Sequence, residues 1–480
     1  MAVLHRYVNL ALLALLCLTI CGTTHVFGEA STSISLPDTP VGKGLGMWLD
    51  AFNSGNRETI RAFAAVHMFA KLGKSVPADA IADRLAERSK EVGGYDVRQI
   101  IKATPDKIAV AVQAGRFGYW YELQMSVTTD ASQKILGTRE DAIDPPAELL
   151  PKEKLGDVEI HDRVDALVTK LIDADHFSGA ILIAWDGKPV YQRAAGMANR
   201  TWNALNQIDT KFNVASIGKM FTAVATMQLV ENGKLSLDDA VGKILPVYAD
   251  SDLGRRVTIR HLLSHTSGLT IGDANLPDKS ATLAFEPGSK FQYSNDGFNL
   301  LATIIEKVSG QAYHDYVREH VFKPAGMNDS DNYDLETDPP NLSTGYMDSP
   351  DGVRRDNIFH LPHRGIGSGL GYSTAPDMVK FQLALVHHAL LNEQSLNTLW
   401  TGQIDTGRHA KYGFGCYIAQ YNNTRIIWHS GGWMGITDHF DMYPDLGYTV
   451  VILNNIDSAP TPLAQTIRGW LTQGTAMTKD

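Results

Sequence analysis

Strand-like runs at two widely separated places constrain this chain more than any other feature. Gly179 to Trp185 and Pro189 to Ala195 alternate or run apolar and are joined by Asp186-Gly187, a dipeptide suited to a two-residue hairpin turn. Four more runs, Gly413 to Gln420, Arg425 to Trp428, Thr437 to Tyr443 and Tyr448 to Asn454, lie far downstream. Between them, residues 216 to 325 are predominantly helical in their periodicity. Unpaired strand edges invite aggregation, so the two groups must meet in one antiparallel sheet, with the helices between them folded over it. The expected class is α+β: an antiparallel sheet flanked by helices plus a helical subdomain.

The 480 residues allow two or three domains. Met1 to Tyr7 carries Arg6, Leu10 to Ile20 is almost wholly apolar, and small residues follow at Gly22 and Gly28, so residues 1–28 read as a signal peptide. The apolar stretch is shorter than the roughly 20 residues that span a bilayer. A secreted or periplasmic protein is expected, with lipid attachment at Cys17 or Cys21, or a signal anchor, as the lesser alternative. Removal of the leader leaves Cys416 alone, so no internal disulfide is expected, and Cys416 reads as a buried, inert thiol.

Residues 29–42, rich in Ser, Thr and Pro, read as a flexible lead. A first domain, 43–142, opens with helical spacing at Met47, Trp48, Ala51 and Phe52 and again at Ile60, Phe63, Ala64 and His67, with Asn56 or Ser54 as the second cap. From Tyr95 the pattern changes to an antiparallel meander, and Trp48, Trp120 and Tyr121 read as its core. Asp144-Pro145-Pro146 to Lys154 mixes proline with charge, so 143–158 reads as a linker. The second domain, 159–476, begins with a helix bearing Val164, Leu167, Val168, Leu171 and Ile172 on one face and ends with a helix over 462–471. Lys and Arg number 43 against 53 Asp and Glu, with no basic run, so nucleic acid is excluded as a partner.

Three short motifs carry chemistry. Ser216-Ile217-Gly218-Lys219 opens an apolar helix, where Ser and Lys three apart share a face. The helix start brings free N–H groups to the serine, where an oxyanion would form. A lysine can take the serine's proton only if burial strips its own, at roughly 4 to 5 kcal/mol for a fall from about 10.4 to near 7. Tyr293-Ser294-Asn295 places a phenol and an amide on one side of an extended segment: Tyr293 to relay or accept a proton, Asn295 to hold a substrate amide. His429-Ser430-Gly431-Gly432 follows a strand, where the glycines admit a substrate backbone to the strand edge and an exposed N–H can face an oxyanion. His429 could hydrogen-bond substrate or the Tyr293 pair. His265 reads as a structural residue holding a turn. His360 with His363, and His387 with His388, lack the spacing and acidic partner of a metal site, and no phosphate-cradling or dinucleotide loop is found. No metal and no cofactor are expected.

In this order and setting, the motifs resemble the serine beta-lactamase and penicillin-binding superfamily, on its class C beta-lactamase, D-Ala-D-Ala carboxypeptidase and esterase side. Phe177 to Leu182, His261 to Leu269, Phe322 to Met327 and Gly369 to Met378 are similar to the same family, over about residues 160–475. The resemblance implies that Ser216 is the acylated nucleophile and that Lys219 and Tyr293 handle protons, the free base being left open between them. It implies Asn295, His429 and Gly431 as substrate-binding residues, with the backbone N–H groups of Ser216 and Gly432 as the oxyanion hole. His429 stands where many beta-lactamases have lysine, which turns the expected substrate toward esters or D-amino-acid peptides beside beta-lactams. The rival expectation is a non-catalytic or acyl-trapping sensor. The first domain is similar in pattern to cone-shaped nuclear transport factor 2-like domains, with an accessory or homodimerising role.

Overall fold

In the computed structural model the two distant strand groups pair. Gly179–Trp185 (β5) forms a hairpin with Lys188–Ala195 (β6) and lies antiparallel to Tyr448–Asn454 (β12), with Ile181 opposite Ile452. Beyond β12 follow Ile436–Tyr443 (β11), Thr424–Trp433 (β10), Tyr417–Tyr421 (β9), Lys411–Tyr412 (β8) and Ile404–Asp405 (β7), an eight-stranded sheet in the order β7-β8-β9-β10-β11-β12-β5-β6. Positive φ at Asp186 and Gly187 closes the hairpin as its sequence requires. The structure describes residues 34–69, 76–269, 276, 278, 282–337, 339–349, 351–407 and 409–474. The expected signal peptide, with Cys17 and Cys21, lies outside the described residues.

Side-chain alternation divides this sheet between two cores. Leu182, Ile427, Phe440, Met442 and Val451 face the helices Gly218–Glu231 (α5), Asn295–Ser309 (α6) and Ala375–Val386 (α7). Ile181, Ile183, Ile426, Val450 and Ile452 face Asp157–Asp173 (α4) and Pro460–Thr472 (α8). The second core runs on without a break into the N-terminal segment. There Pro40–Asn53 (α1), Arg57–His67 (α2) and Ala78–Val92 (α3) precede a four-stranded antiparallel sheet of Tyr95–Ala103 (β1), Lys107–Ala114 (β2), Trp120–Val127 (β3) and Ile135–Ala142 (β4). Trp48, Trp120 and Tyr121 are buried core residues.

Three details differ from the sequence reading. Helix α1 begins at Pro40, inside the expected lead, because Thr39 caps it by accepting the Gly42 N–H and proline suits the first turn. Helix α3, ending on the left-handed Gly93, went unread because its few buried residues leave a weak apolar stripe. Asn56 caps α2, as one of the two expected choices. The segment 143–158 is a fastened strap rather than a free linker: Tyr421 donates to the Pro145 carbonyl at 2.6 Å, Leu155 is buried, and Asp144 pairs with Arg468. Arg468 is buried in α8 and also holds Asp441, which accepts from Tyr443 and contacts His439. The charge that suggested a solvated linker is the partner of a buried guanidinium.

Candidate active site

Ser216 lies in a single 3-10 turn, Ala215–Ile217, that runs directly into α5. The turn closes through the Ile217 N–H donating to the Val214 carbonyl at 3.0 Å. Ala215 is held at φ +41, a strained value for a residue with a side chain, and its N–H donates to Asn213 Oδ1 at 2.9 Å. Gly369 is required opposite: at φ +143, a β-carbon there would stand 2.2 Å from the Ala215 carbonyl oxygen. Leu370 N–H donates to that same carbonyl at 3.2 Å. The serine is thus fixed by backbone from two sides.

Lys219 sits one turn into α5 and is fully buried. Its Nζ is 2.8 Å from Asn295 Oδ1, 2.5 Å from the Ser368 carbonyl and 3.1 Å from Ser216 Oγ. The amide oxygen and the carbonyl can only accept, so they take two N–H groups. A neutral amine then has one lone pair left, directed to the third neighbour, the Ser216 hydroxyl. Burial pushes the Lys219 amine well below its ordinary pKa, and no carboxylate pairs with it among the described residues. The Nζ also lies 4.8 Å from the centre of the Tyr293 ring.

Tyr293 interacts with Ser216 through its phenol, and burial raises that phenol above the ordinary range, so it stays protonated. Ser294 caps α6 by accepting the Gly297 N–H, which sets Tyr293 just before the helix and Asn295 on its first turn. The structure therefore brings together Ser216, Lys219, Tyr293 and Asn295 from two helix starts about 75 residues apart in the chain.

The His429 motif lies inside β10, which continues to Trp433, and not after a strand end. Gly431 packs against the nucleophile turn: a β-carbon on it would come within 2.5 Å of the Val214 carbonyl oxygen. Gly432 has open space on its side-chain side. His429 itself is 1% exposed. Its Nδ1–H donates to the Ser430 carbonyl at 2.7 Å, which leaves Nε2 to accept from the Tyr412 hydroxyl at 3.2 Å. Burial lowers its pKa to about 3, so the ring is neutral. Both nitrogens are engaged inside the protein, and His429 stands behind Tyr293, 6.3 Å between ring centres. His429, expected as a substrate ligand, thus directs both ring nitrogens to protein groups in this structure.

Two backing residues were under-read or missed. His265, with φ +56, accepts the Ser294 N–H on Nδ1 at 3.1 Å, and its own carbonyl accepts from Gln292 N–H at 2.8 Å, so it clamps the segment that carries Tyr293. The turn-holding role expected of His265 therefore falls on the segment before α6. Tyr412 is fully buried between His265 and His429, and no motif surrounds it. Cys416 is buried with its thiol pKa pushed up, consistent with an inert residue.

A strained serine turn on a helix, a dry lysine and a tyrosine between the helical region and one side of an antiparallel sheet define the beta-lactamase/transpeptidase fold. Comparison with known proteins agrees. The Beta-lactamase family model matches residues 164–472, and the chain belongs to that family and so to the serine hydrolases in general. Penicillin-binding protein 4* of Bacillus subtilis (strain 168) is 30% identical over 325 residues, 61% of this chain and 71% of that protein. The crystal structure of a penicillin binding protein from Bacillus halodurans superposes with a TM-score of 0.57 at 32% identity, covering 62% of this chain and 98% of that one. A class C beta-lactamase shares the fold, with a TM-score of 0.57 at 20% identity over 69% of this chain and 99% of the other. Residues before 164 lie outside the family match.

Proposed function

We propose that the protein hydrolyses an ester, a D-amino-acid peptide or a beta-lactam through an acyl-enzyme on Ser216. One observation carries the reading: a fully buried amine with no carboxylate partner among the described residues, whose Nζ stands 3.1 Å from the Ser216 hydroxyl. Ser216 Oγ attacks the substrate carbonyl carbon as its proton passes to Lys219 Nζ. The carbonyl π pair moves onto oxygen, which the N–H groups of Ser216 and Gly432 receive. On collapse the bond to the leaving oxygen or nitrogen breaks, and that atom takes a proton relayed from Lys219 through Tyr293. Water then attacks the acyl carbon, gives its proton to the same pair, and Ser216 is released with its proton restored. Asn295 positions the substrate while holding Lys219, and His265, Tyr412 and His429 keep Tyr293 in place.

A neutral, buried His429 supplies no fixed positive charge for a substrate carboxylate, which favours esters and D-amino-acid peptides over efficient beta-lactam turnover. The name of the Bacillus subtilis relative supports penicillin as a covalent probe. The N-terminal helices and sheet serve as an accessory buttress for the rear face of the catalytic sheet, and residues 1–28 direct export. No helix among the described residues is long and apolar enough to cross a membrane. Rapid mixing with an activated p-nitrophenyl ester tests the reading. A burst of one equivalent followed by steady turnover, both absent in Ser216→Ala, is expected. A burst with no turnover would make the protein an acyl-trapping sensor, and undiminished turnover by Ser216→Ala would end the proposal.

A further inference from the structure

Asp438 lies on β11 directly opposite Gly431 of β10, on the sheet face shared with Phe440 and Met442 that looks toward the serine turn. It is fully buried. Its Oδ1 accepts the Asn454 N–H at 2.9 Å, while Oδ2 meets no hydrogen-bond donor among the described residues. No cation pairs with it among the described residues, unlike Asp441 three residues on, which has Arg468.

The place of Oδ2 is informative. A β-carbon on Gly431 would lie 3.1 Å from Asp438 Oδ2 and 2.5 Å from the Val214 carbonyl oxygen, so the two oxygens border the same small space above Gly431. Val214 O is the acceptor that closes the Ser216 turn, taking the Ile217 N–H and keeping a second lone pair. Two buried acceptors facing one gap repel unless something positive lies between them. Gly431 has no side chain to fill the gap.

We propose that Asp438 is a neutral carboxylic acid whose Oδ2–H donates toward the Val214 carbonyl, making it a positioning residue that ties β11, the neighbour of the strand bearing Gly432, to the turn carrying Ser216. Burial without a counter-charge, which pushes the carboxyl well above the usual carboxylate range, fits that state. The arrangement explains why an acid is tolerated on this face at all: as a donor it completes the bonding of a turn that must not move. Loss of the tie lets Ser216 drift against its oxyanion N–H groups and slows acylation.

The inference depends on the acyl-enzyme reading only for its activity readout, so two independent measurements test it. Infrared difference spectra of wild type against Asp438→Asn are expected to show a protonated carboxyl band that the variant lacks. A carboxylate band in its place, with or without a bound cation, would overturn the proposal. In fluorophosphonate labelling of Ser216, Asp438→Asn keeps a donor at the same position and is expected within about threefold of wild type. Asp438→Ala, checked for retained fold by circular dichroism, is expected to label roughly 10- to 100-fold more slowly. Equal slowing of both variants would also overturn it. Failure of wild type to label at all would refute the acyl-enzyme reading, and the infrared result would still decide the state of Asp438.

Discussion

Replacing Lys219 with methionine tests the protonation state on which the mechanism turns, by a measurement that needs no substrate. Methionine keeps most of the side-chain volume and removes the titrating group. The folded-state pKa of Lys219 lies well below its unfolded value near 10.5, so between the two the unfolded chain binds one more proton than the native protein. The derivative of unfolding free energy with pH is then positive. Wild-type stability relative to Lys219→Met should climb by about 1.4 kcal/mol per pH unit across this window and level off above the unfolded pKa. The variant also strands Asn295 Oδ1 and the Ser368 carbonyl, at about 1–3 kcal/mol each, and this is partly offset because no amine need be buried. Those contributions shift the whole curve and leave its slope alone. Urea unfolding of both proteins at several pH values between about 7.5 and 9.5 gives the difference directly. A difference that does not vary with pH would mean that native Lys219 carries its proton, and the proposed base would be lost.

Two further perturbations probe neighbouring steps. Tyr293→Phe removes the hydroxyl that meets Ser216 and should lower the acylation rate by about 10²- to 10⁴-fold with little change in thermal midpoint; an unchanged single-turnover rate would show that Lys219 acts without a relay. Asp144→Ala leaves Arg468, only 3% exposed, with Asp441 as its one remaining carboxylate, and should cost about 3 kcal/mol in urea unfolding. A loss under about 1 kcal/mol would return residues 143–158 to the status of a loose connection.

The strand hairpin at Asp186-Gly187 and the four late strands were readable because their signals are local: turn dipeptides, apolar alternation and length. Their union in one sheet followed from the need to satisfy strand edges. The candidate quartet was readable in part for the same reason, since Ser216 and Lys219 are three apart at one helix start and Tyr293 and Asn295 two apart at another. What the sequence could not display was the environment of each group. The strained φ of Ala215 depends on Gly369, more than 150 residues away, and the drying of Lys219 depends on the Ser368 carbonyl, a backbone atom that no residue pattern marks. His429 reads as a substrate-binding residue just past a strand because nothing local reveals that β10 continues through it and that Tyr412 covers its Nε2. Asp144 misled for the opposite reason: proline and charge signal solvent only when the charge lacks a buried partner.

The central claim is that a hydroxyl seated beside an unprotonated lysine reacts covalently, and intact-mass analysis after exposure to a fluorophosphonate addresses it most directly. One adduct per chain is predicted, mapping by peptide sequencing to Ser216 and absent from Ser216→Ala. An adduct on any other residue, or equal labelling of the alanine variant, would contradict the account.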